Sequence, residues 1–172
     1  MNKRKQVQLP ATLPGSPGVF GFFIYPFFLF HMLVFGLSGF FIAYAAPDAP
    51  VAMLFAHGGI AITVYLVFYL NFFGRDQVKW MLINAALGIF GIYSQIGWIL
   101  ARFGKRIGDY PWYVHVIPFL YYVLYTFLLR QLLLDLTGSR HDALRRRWVE
   151  SAYVVFSMLV YATFLWRGRH LA

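Results

Sequence analysis

The sequence predicts an all-α protein, a polytopic bundle of about five membrane-spanning helices, from two observations. Of its 172 residues, 60% are hydrophobic and only 12% are charged, whereas a soluble domain carries roughly 25% charged residues. A water-soluble fold of this size cannot bury so much apolar surface. The second observation is a set of long apolar segments, each near the roughly 20 residues that cross the hydrocarbon of a bilayer. They are Val19–Ala46, Val51–Phe73, Val78–Leu100, Trp112–Leu129 and Trp148–Trp166.

Polar stretches divide the chain and predict where its helices begin. Residues 1–18 are basic and contain three prolines, so we expect a flexible tail, followed by a single transmembrane domain over 19–172. Asp48, Asp76 and Asp109 precede the second, third and fourth apolar segments. An aspartate at such a position accepts hydrogen bonds from the free N–H groups of the first turn, so each is expected to cap a helix.

The fourth apolar segment is the shortest, and we expect its helix to continue to Leu136 and to end before Gly138. Arg130 is then predicted to extend its charge along the helix toward lipid headgroups. Residues 139–142 have the spacing of a capping box, which predicts that the fifth helix begins near Arg140.

The distribution of basic residues predicts the orientation. With the N-terminus inside, nine Lys and Arg residues lie on the cytoplasmic side and five on the other, with Arg130 embedded. This bias favours a cytoplasmic N-terminus and an external C-terminus. The inner set is Lys3, Arg4, Lys5, Arg75, Lys79, Arg140, Arg145, Arg146 and Arg147, and the outer set is Arg102, Lys105, Arg106, Arg167 and Arg169. Short loops and the basic tail suggest a bacterial inner membrane.

Composition also limits the chemistry and the partners. The net charge of +9 is spread in short groups between apolar segments, so we predict contact with the lipid bilayer and not with nucleic acid. The absence of cysteine excludes disulfides, thiolate nucleophiles and cysteine-ligated metal centres. No phosphate-binding or catalytic motif occurs, and no carboxylate falls at a predicted mid-membrane position. The sequence therefore favours a non-catalytic role and no cofactor.

Three histidines are the candidate cofactor ligands. His57 and His115 follow the starts of two helices that begin on the same predicted face, so their imidazoles are expected at similar depth. Two such side chains on facing helices can ligate haem b or bind a quinone. His31 lies near the middle of the first helix. We predict that these histidines are structural, with haem b or quinone binding as the alternative.

The third helix carries a face of small and polar residues. Small residues let membrane helices approach closely, and amides form hydrogen bonds across the contact. The face predicts either internal packing or docking on another subunit, and the first helix has a similar small patch. The residues on the two helices are Asn84, Gly88, Gly91 and Gln95, and Gly36 and Gly39.

Three functions follow from the sequence. The first is an accessory subunit that packs against other membrane protein subunits or against itself. The second is an electron-transfer subunit that binds haem b or quinone through His57 and His115. The third is a small oligomeric transporter or pore, lined by Asn84, Gln95 and Thr63.

Overall fold

The computed structural model describes residues 19–46, 49–74, 77 and 79–169, with side chains from Tyr25 to Arg167. Within these ranges the chain contains five helices long and apolar enough to cross a membrane, and no strand. The predicted all-α transmembrane bundle is thus confirmed. The helices are α1 (Val19–Tyr44), α2 (Val51–Phe73), α3 (Trp80–Arg102), α4 (Val116–Leu136) and α5 (Ala143–Arg169). Two 3-10 turns, Ile107–Asp109 and Trp112–His115, connect α3 to α4.

Helix α4 is the centre of the bundle. It packs against each of the other four helices, with α1 and α2 forming one neighbouring pair and α3 and α5 another. Of its most apolar stretch 56% is buried, against 28% or less for every other helix. The other four helices therefore present most of their surface outward, as expected when the surrounding solvent is lipid.

On the face of α4 that meets α1 and α2, large side chains of α4 pack on glycines of the other two helices. Ile117 fills the space beside Gly58 of α2, where even a methyl group would overlap it. Tyr121 packs on Gly39 of α1, at 3.4 Å from the position of an added Cβ. Deeper in the same interface, the hydroxyl of Tyr69 donates a hydrogen bond of 3.2 Å to a backbone carbonyl of α4. The close approach of α1 and α2 to α4 thus depends on glycine, which has no side chain, at these two positions.

The opposite face of α4 meets α3 and α5 through a second pair of glycines. A Cβ on Gly88 would lie 3.3 Å from Phe119 and from Tyr122. A Cβ on Gly91 would lie 2.5 Å from the hydroxyl oxygen of Tyr122 and 2.7 Å from the ring of Tyr161 on α5. The glycine face of α3 is therefore an internal contact, filled by aromatic rings.

The junction of α4 and α5 agrees with one prediction and corrects another. Gly138 adopts a positive φ of 60° and follows the end of α4, as predicted. Helix α5 begins at Ala143 and not near Arg140, because Asp142 supplies the cap by accepting hydrogen bonds from the N–H groups of residues 144 and 145 at 2.9 and 3.1 Å. The Ser139 hydroxyl instead donates to the carbonyl of Leu134 at 3.3 Å.

The predicted cap of α4 is also wrong. Asp109 accepts a hydrogen bond of 2.7 Å from the N–H of Arg106 and so closes the 3-10 turn before the helix. Pro111 occupies the position before the next 3-10 turn, which leads into α4. The caps expected at Asp48 and Asp76, and the tail over 1–18, lie outside the described residues.

The two glycines of α3 give a test of the packing. Replacing Gly88 and Gly91 together by leucine should lower the free energy of unfolding by at least about 1–3 kcal/mol, because the added atoms overlap rings on α4 and α5. The measurement is thermal unfolding in detergent. Gly36→Leu is the matched control, because nothing lies within 4 Å of a Cβ at that position. Equal stability of the two variants would contradict the close contact of α3 with α4 and α5.

Candidate functional site

A groove lies between α1 and α2 and is open at the side of the bundle. It has a volume of about 450 Å³. Its walls are apolar and largely aromatic, and they include two of the candidate histidines. The lining residues are Phe27, Phe28, His31, Phe35, His57, Ile60, Ala61, Val64 and Tyr65.

The hydrogen bonds of His57 define its tautomer. The Ser38 hydroxyl lies 3.2 Å from Nε2 of His57, and it also donates a hydrogen bond of 2.9 Å to the carbonyl of Phe35. A hydroxyl has a single proton to donate, so Ser38 accepts from the N–H at Nε2. In the neutral imidazole Nδ1 is then unprotonated. Nδ1 of His57 is buried and finds no hydrogen-bond partner among the described residues.

His31 lies in the same groove. Its Nδ1 lies 3.3 Å from the carbonyl oxygen of Phe27, one turn earlier in α1. A carbonyl only accepts, so Nδ1 of His31 carries the proton and Nε2 is the unprotonated nitrogen of the neutral ring. The ring also lies 4.3 Å from that of Phe27, measured between centroids. The groove therefore holds two imidazoles among phenylalanine rings.

His115 belongs to a different part of the molecule. Its Nδ1 is 2.7 Å from the hydroxyl of Tyr44, at the end of α1. The carbonyl of Tyr44 in turn accepts hydrogen bonds of 3.0 Å from Lys105 and from Tyr110. His115 thus helps to join the end of α1 to the segment between α3 and α4. It also lines a second cavity, of about 340 Å³, between α3 and the start of α4.

The structure consequently brings together His31 and His57, and not the pair His57 and His115 that the sequence suggested. The two imidazoles of that pair line separate cavities. Each also has its own hydroxyl partner on α1, Ser38 or Tyr44. Within the described residues, no group of three or more His, Asp, Glu or Cys side chains is placed to hold a metal ion.

The prediction that Arg130 reaches toward headgroups is wrong. Its side chain is 2% exposed and forms an ion pair with Glu150 of α5, which is 12% exposed. It also donates a hydrogen bond of 3.2 Å to Gln77 and stacks over the ring of Trp80 at 4.2 Å. A carboxylate, an amide and an aromatic face replace the water that the guanidinium would have had at the surface.

Glu150 is the partner of Arg130 that the sequence did not reveal, because its position suggested only a residue at a helix end. A signal for the pairing was nevertheless available. Helices α4 and α5 are consecutive spans joined by the turn over residues 137–142, so residues at similar distances from Arg140, near the middle of that turn, meet across the hairpin. The observed pairs follow this rule: Arg130 with Glu150, Thr126 with Tyr153, and Tyr122 with Tyr161.

A second polar cluster joins α1 to the same end of the bundle. The hydroxyl of Tyr25 donates a hydrogen bond to Asp135, and Arg140 pairs with the same carboxylate. Arg140 also donates to the oxygen of Tyr25 at 3.3 Å. Burial alone would lower the pKa of the Arg140 guanidinium, but its hydrogen bonds and charge interactions with Asp135 and Tyr25 together outweigh burial and raise the pKa.

The glycine and amide positions that the sequence named on α1 and α3 differ in how closely other helices of the chain pack on them. Gly88, Gly91 and Gly39 are buried against other helices of the same chain. Gly36 borders open space, and Gln95 is half-buried.

Two fully buried amides stand apart from these contacts. Asn84 of α3 is 1% exposed and Gln131 of α4 is 0% exposed. The side-chain nitrogen and oxygen of each find no hydrogen-bond partner among the described residues. Such groups are costly in an apolar interior.

Comparisons with protein-family models, with curated proteins and with solved structures find no match to this chain. The class of the protein therefore follows from its own fold. Five apolar helices in the described part of the chain, with α4 at the centre of the other four, define a multi-pass α-helical membrane protein.

The buried ion pair gives a second test. Glu150→Gln should lower the free energy of unfolding by about 3–5 kcal/mol, because it leaves the buried Arg130 charge without a counter-ion. The double variant Arg130→Met with Glu150→Leu should recover most of that loss, since it buries no charge. The measurement is unfolding in mixed detergent micelles. Arg147→Gln is the control, because that side chain is exposed on the same helix. A Glu150→Gln variant as stable as this control would show that the ion pair between Arg130 and Glu150 does not stabilise the fold.

Proposed function

We propose that the protein is a non-catalytic subunit of a membrane assembly, which docks through the outward face of α2 on another membrane protein or on a second copy of itself. One observation carries this proposal. Small side chains follow one another along α2 at intervals of four, three and four residues, on a face directed away from the bundle. They form the docking face: Ala52, Ala56, Gly59 and Thr63.

The openness of the docking face supports this role. Ala52, Ala56 and Thr63 are exposed, and nothing lies within 4 Å of a Cβ on Gly59. The Thr63 hydroxyl donates to the carbonyl of Gly59 at 2.7 Å, so its polar group is already satisfied in lipid. A row of small residues is the surface on which two membrane helices approach closely, with van der Waals contact as the driving force.

A non-catalytic role is supported by how the reactive side chains are used. The charges of Arg130 and Glu150 neutralise each other inside the bundle. Asp135 is held by Tyr25 and Arg140. These groups stabilise contacts between helices, and in such contacts they are not available to a substrate.

The geometry gives less support to the two other functions. A pore would need its polar side chains along one path, but Asn84 is buried within the bundle whereas Thr63 faces outward from α2. A haem or quinone held between His57 and His115 would need both rings at one site, and they line separate cavities.

We also propose a bacterial inner membrane with a cytoplasmic N-terminus. The end of the bundle formed by the start of α5 carries Arg145, Arg146 and Arg147. Together with the basic residues of the N-terminal tail, this end has the larger positive charge, which is retained in the cytoplasm.

The docking face can be tested by substitution. Replacing Ala56 and Gly59 by leucine should abolish the association, because bulky side chains separate the helices. The measurement is native mass spectrometry from membranes, combined with recovery of partners by affinity purification. Ala86→Leu, at an exposed position of α3, is the control and should leave assembly unchanged. A native protein that is monomeric and recovers no membrane partner would overturn the proposal.

Orientation is tested separately. Reporter fusions after Lys5 and after Arg169 should report the cytoplasm and the outside, respectively, because five spans place the two ends on opposite sides. Both reporters on one side would contradict the five-span topology, and an inverted result would contradict the orientation alone.

A further inference from the structure

We propose that the outward face of α5 near its start binds anionic phospholipids, with their phosphates held by Arg145 and Arg147 and their acyl chains packed on an apolar ridge between these arginines. The ridge consists of four large side chains on one side of α5, which are 59–72% exposed: Leu144, Trp148, Val155 and Leu159. This site lies on a different helix from the docking face of α2, so the two proposals can fail independently.

The spacing of the ridge places the two arginines on its flanks. Successive ridge residues are four, seven and four positions apart, which aligns them along one side of a helix. Each residue of an α-helix turns by about 100°. Arg145 comes one residue after Leu144, and Arg147 comes one residue before Trp148. The two arginine side chains therefore leave the helix on opposite sides of the ridge.

The other side of α5 packs against the bundle. Glu150 pairs with Arg130 of α4. Tyr161 is 4% exposed and bonds to Tyr122. Arg146 is directed toward this side as well, with its Nε 4.0 Å from Glu150. The ridge and the two arginines that flank it thus face away from the described bundle.

Neither flanking arginine has a counter-ion in the described part of the chain. Arg145 and Arg147 are both exposed, and neither pairs with a described carboxylate. The nearest carboxylate in sequence, that of Asp142, accepts hydrogen bonds from backbone N–H groups at the start of α5. The arginines do not stabilise the helix either, because positive charge near its N-terminus opposes the helix dipole. Both guanidinium groups are therefore free to bind an anion outside the protein.

The length of α5 places these arginines among the lipid headgroups. The helix has 27 residues, or about 40 Å, whereas the hydrocarbon layer is about 30 Å thick. Arg145 and Arg147 lie within its first five residues. Trp148 follows them, and tryptophan is enriched at the boundary between headgroups and hydrocarbon. The anion present at that depth is a lipid phosphate, which arginine binds through two parallel hydrogen bonds.

The shape of the ridge favours acyl chains over a second membrane helix. Close contact between membrane helices uses small residues, as on the docking face of α2. On the ridge the small Ser151 lies between Trp148 and Val155, whose bulk keeps another helix at a distance. A second copy of the chain, packed symmetrically on this ridge, would also bring the same arginines together, and like charges repel. Flexible acyl chains can fill an uneven surface of this kind.

The first experiment varies the lipid. Native mass spectrometry of the full chain, released from detergent micelles, measures binding of dioleoyl phosphatidylglycerol and of dioleoyl phosphatidylcholine, which differ in net charge. Phosphatidylglycerol should bind more tightly, by about fivefold for each arginine that contacts it. Equal affinity for the two lipids would overturn the proposal and would leave an acidic protein as the partner of the arginines. Displacement of phosphatidylglycerol by millimolar inorganic phosphate would also overturn it, since the acyl chains would then contribute nothing.

The second experiment varies the protein. Arg145→Gln with Arg147→Gln should weaken binding of phosphatidylglycerol by about fivefold for each arginine and leave binding of phosphatidylcholine unchanged. Arg102→Gln with Arg167→Gln is the matched control, because it removes two exposed charges at the other end of the bundle, and it should lose much less. Equal loss in this control would overturn the assignment to α5. In lipid-free detergent the Arg145 and Arg147 double variant should unfold at the native midpoint, which separates lost binding from lost folding.

Discussion

Arg130 lies six residues before the end of α4, about 9 Å along the helix from Leu136. A guanidinium at that depth is unfavourable in hydrocarbon, and it cannot lose its proton to escape the cost. It is tolerated because Glu150, Gln77 and Trp80 surround it. These three partners come from α5, from the segment that precedes α3 and from the start of α3, so one buried charge determines how α3, α4 and α5 meet. A helix α5 rotated or shifted by one residue would leave the charge unpaired.

The other polar contacts of α4 have the same physical cause, because hydrocarbon offers no water as a hydrogen-bond partner. In hydrocarbon each hydroxyl must find its partner within the protein. Tyr122 and Tyr161 bond to each other, and Tyr153 donates to the carbonyl of Thr126. On the other face Tyr69 donates to the carbonyl of Leu124. These four tyrosines thus supply hydrogen bonds that hold the bundle together, whereas the buried hydroxyl of Tyr121 on α4 finds no partner among the described residues.

The two sides of α4 differ in character. The α3 and α5 side is joined by an ion pair, paired tyrosine hydroxyls and glycine contacts. The α1 and α2 side has glycine contacts as well, but it also carries the aromatic groove and the outward row of small residues. The proposed interaction with a membrane partner therefore involves the side that carries the outward row of small residues. The polar cluster of Tyr25, Asp135 and Arg140 joins α1 to the end of α4 on that same side.

The fold class, the five apolar helices of the described residues and the end of α4 just before Gly138 could all be predicted from the sequence. Apolar length and a glycine able to adopt positive φ are local properties. The glycines of α3 could be found in the same way, since their spacing is a property of one helix. Three other features emerged from the packing of the helices: the burial of Arg130 against Glu150, the cap that Asp142 and not Ser139 provides for α5, and the groove that His57 shares with His31 and not with His115. The partner of a polar side chain in a membrane bundle depends on how two helices rotate and pack against each other, and neither helix encodes that alone.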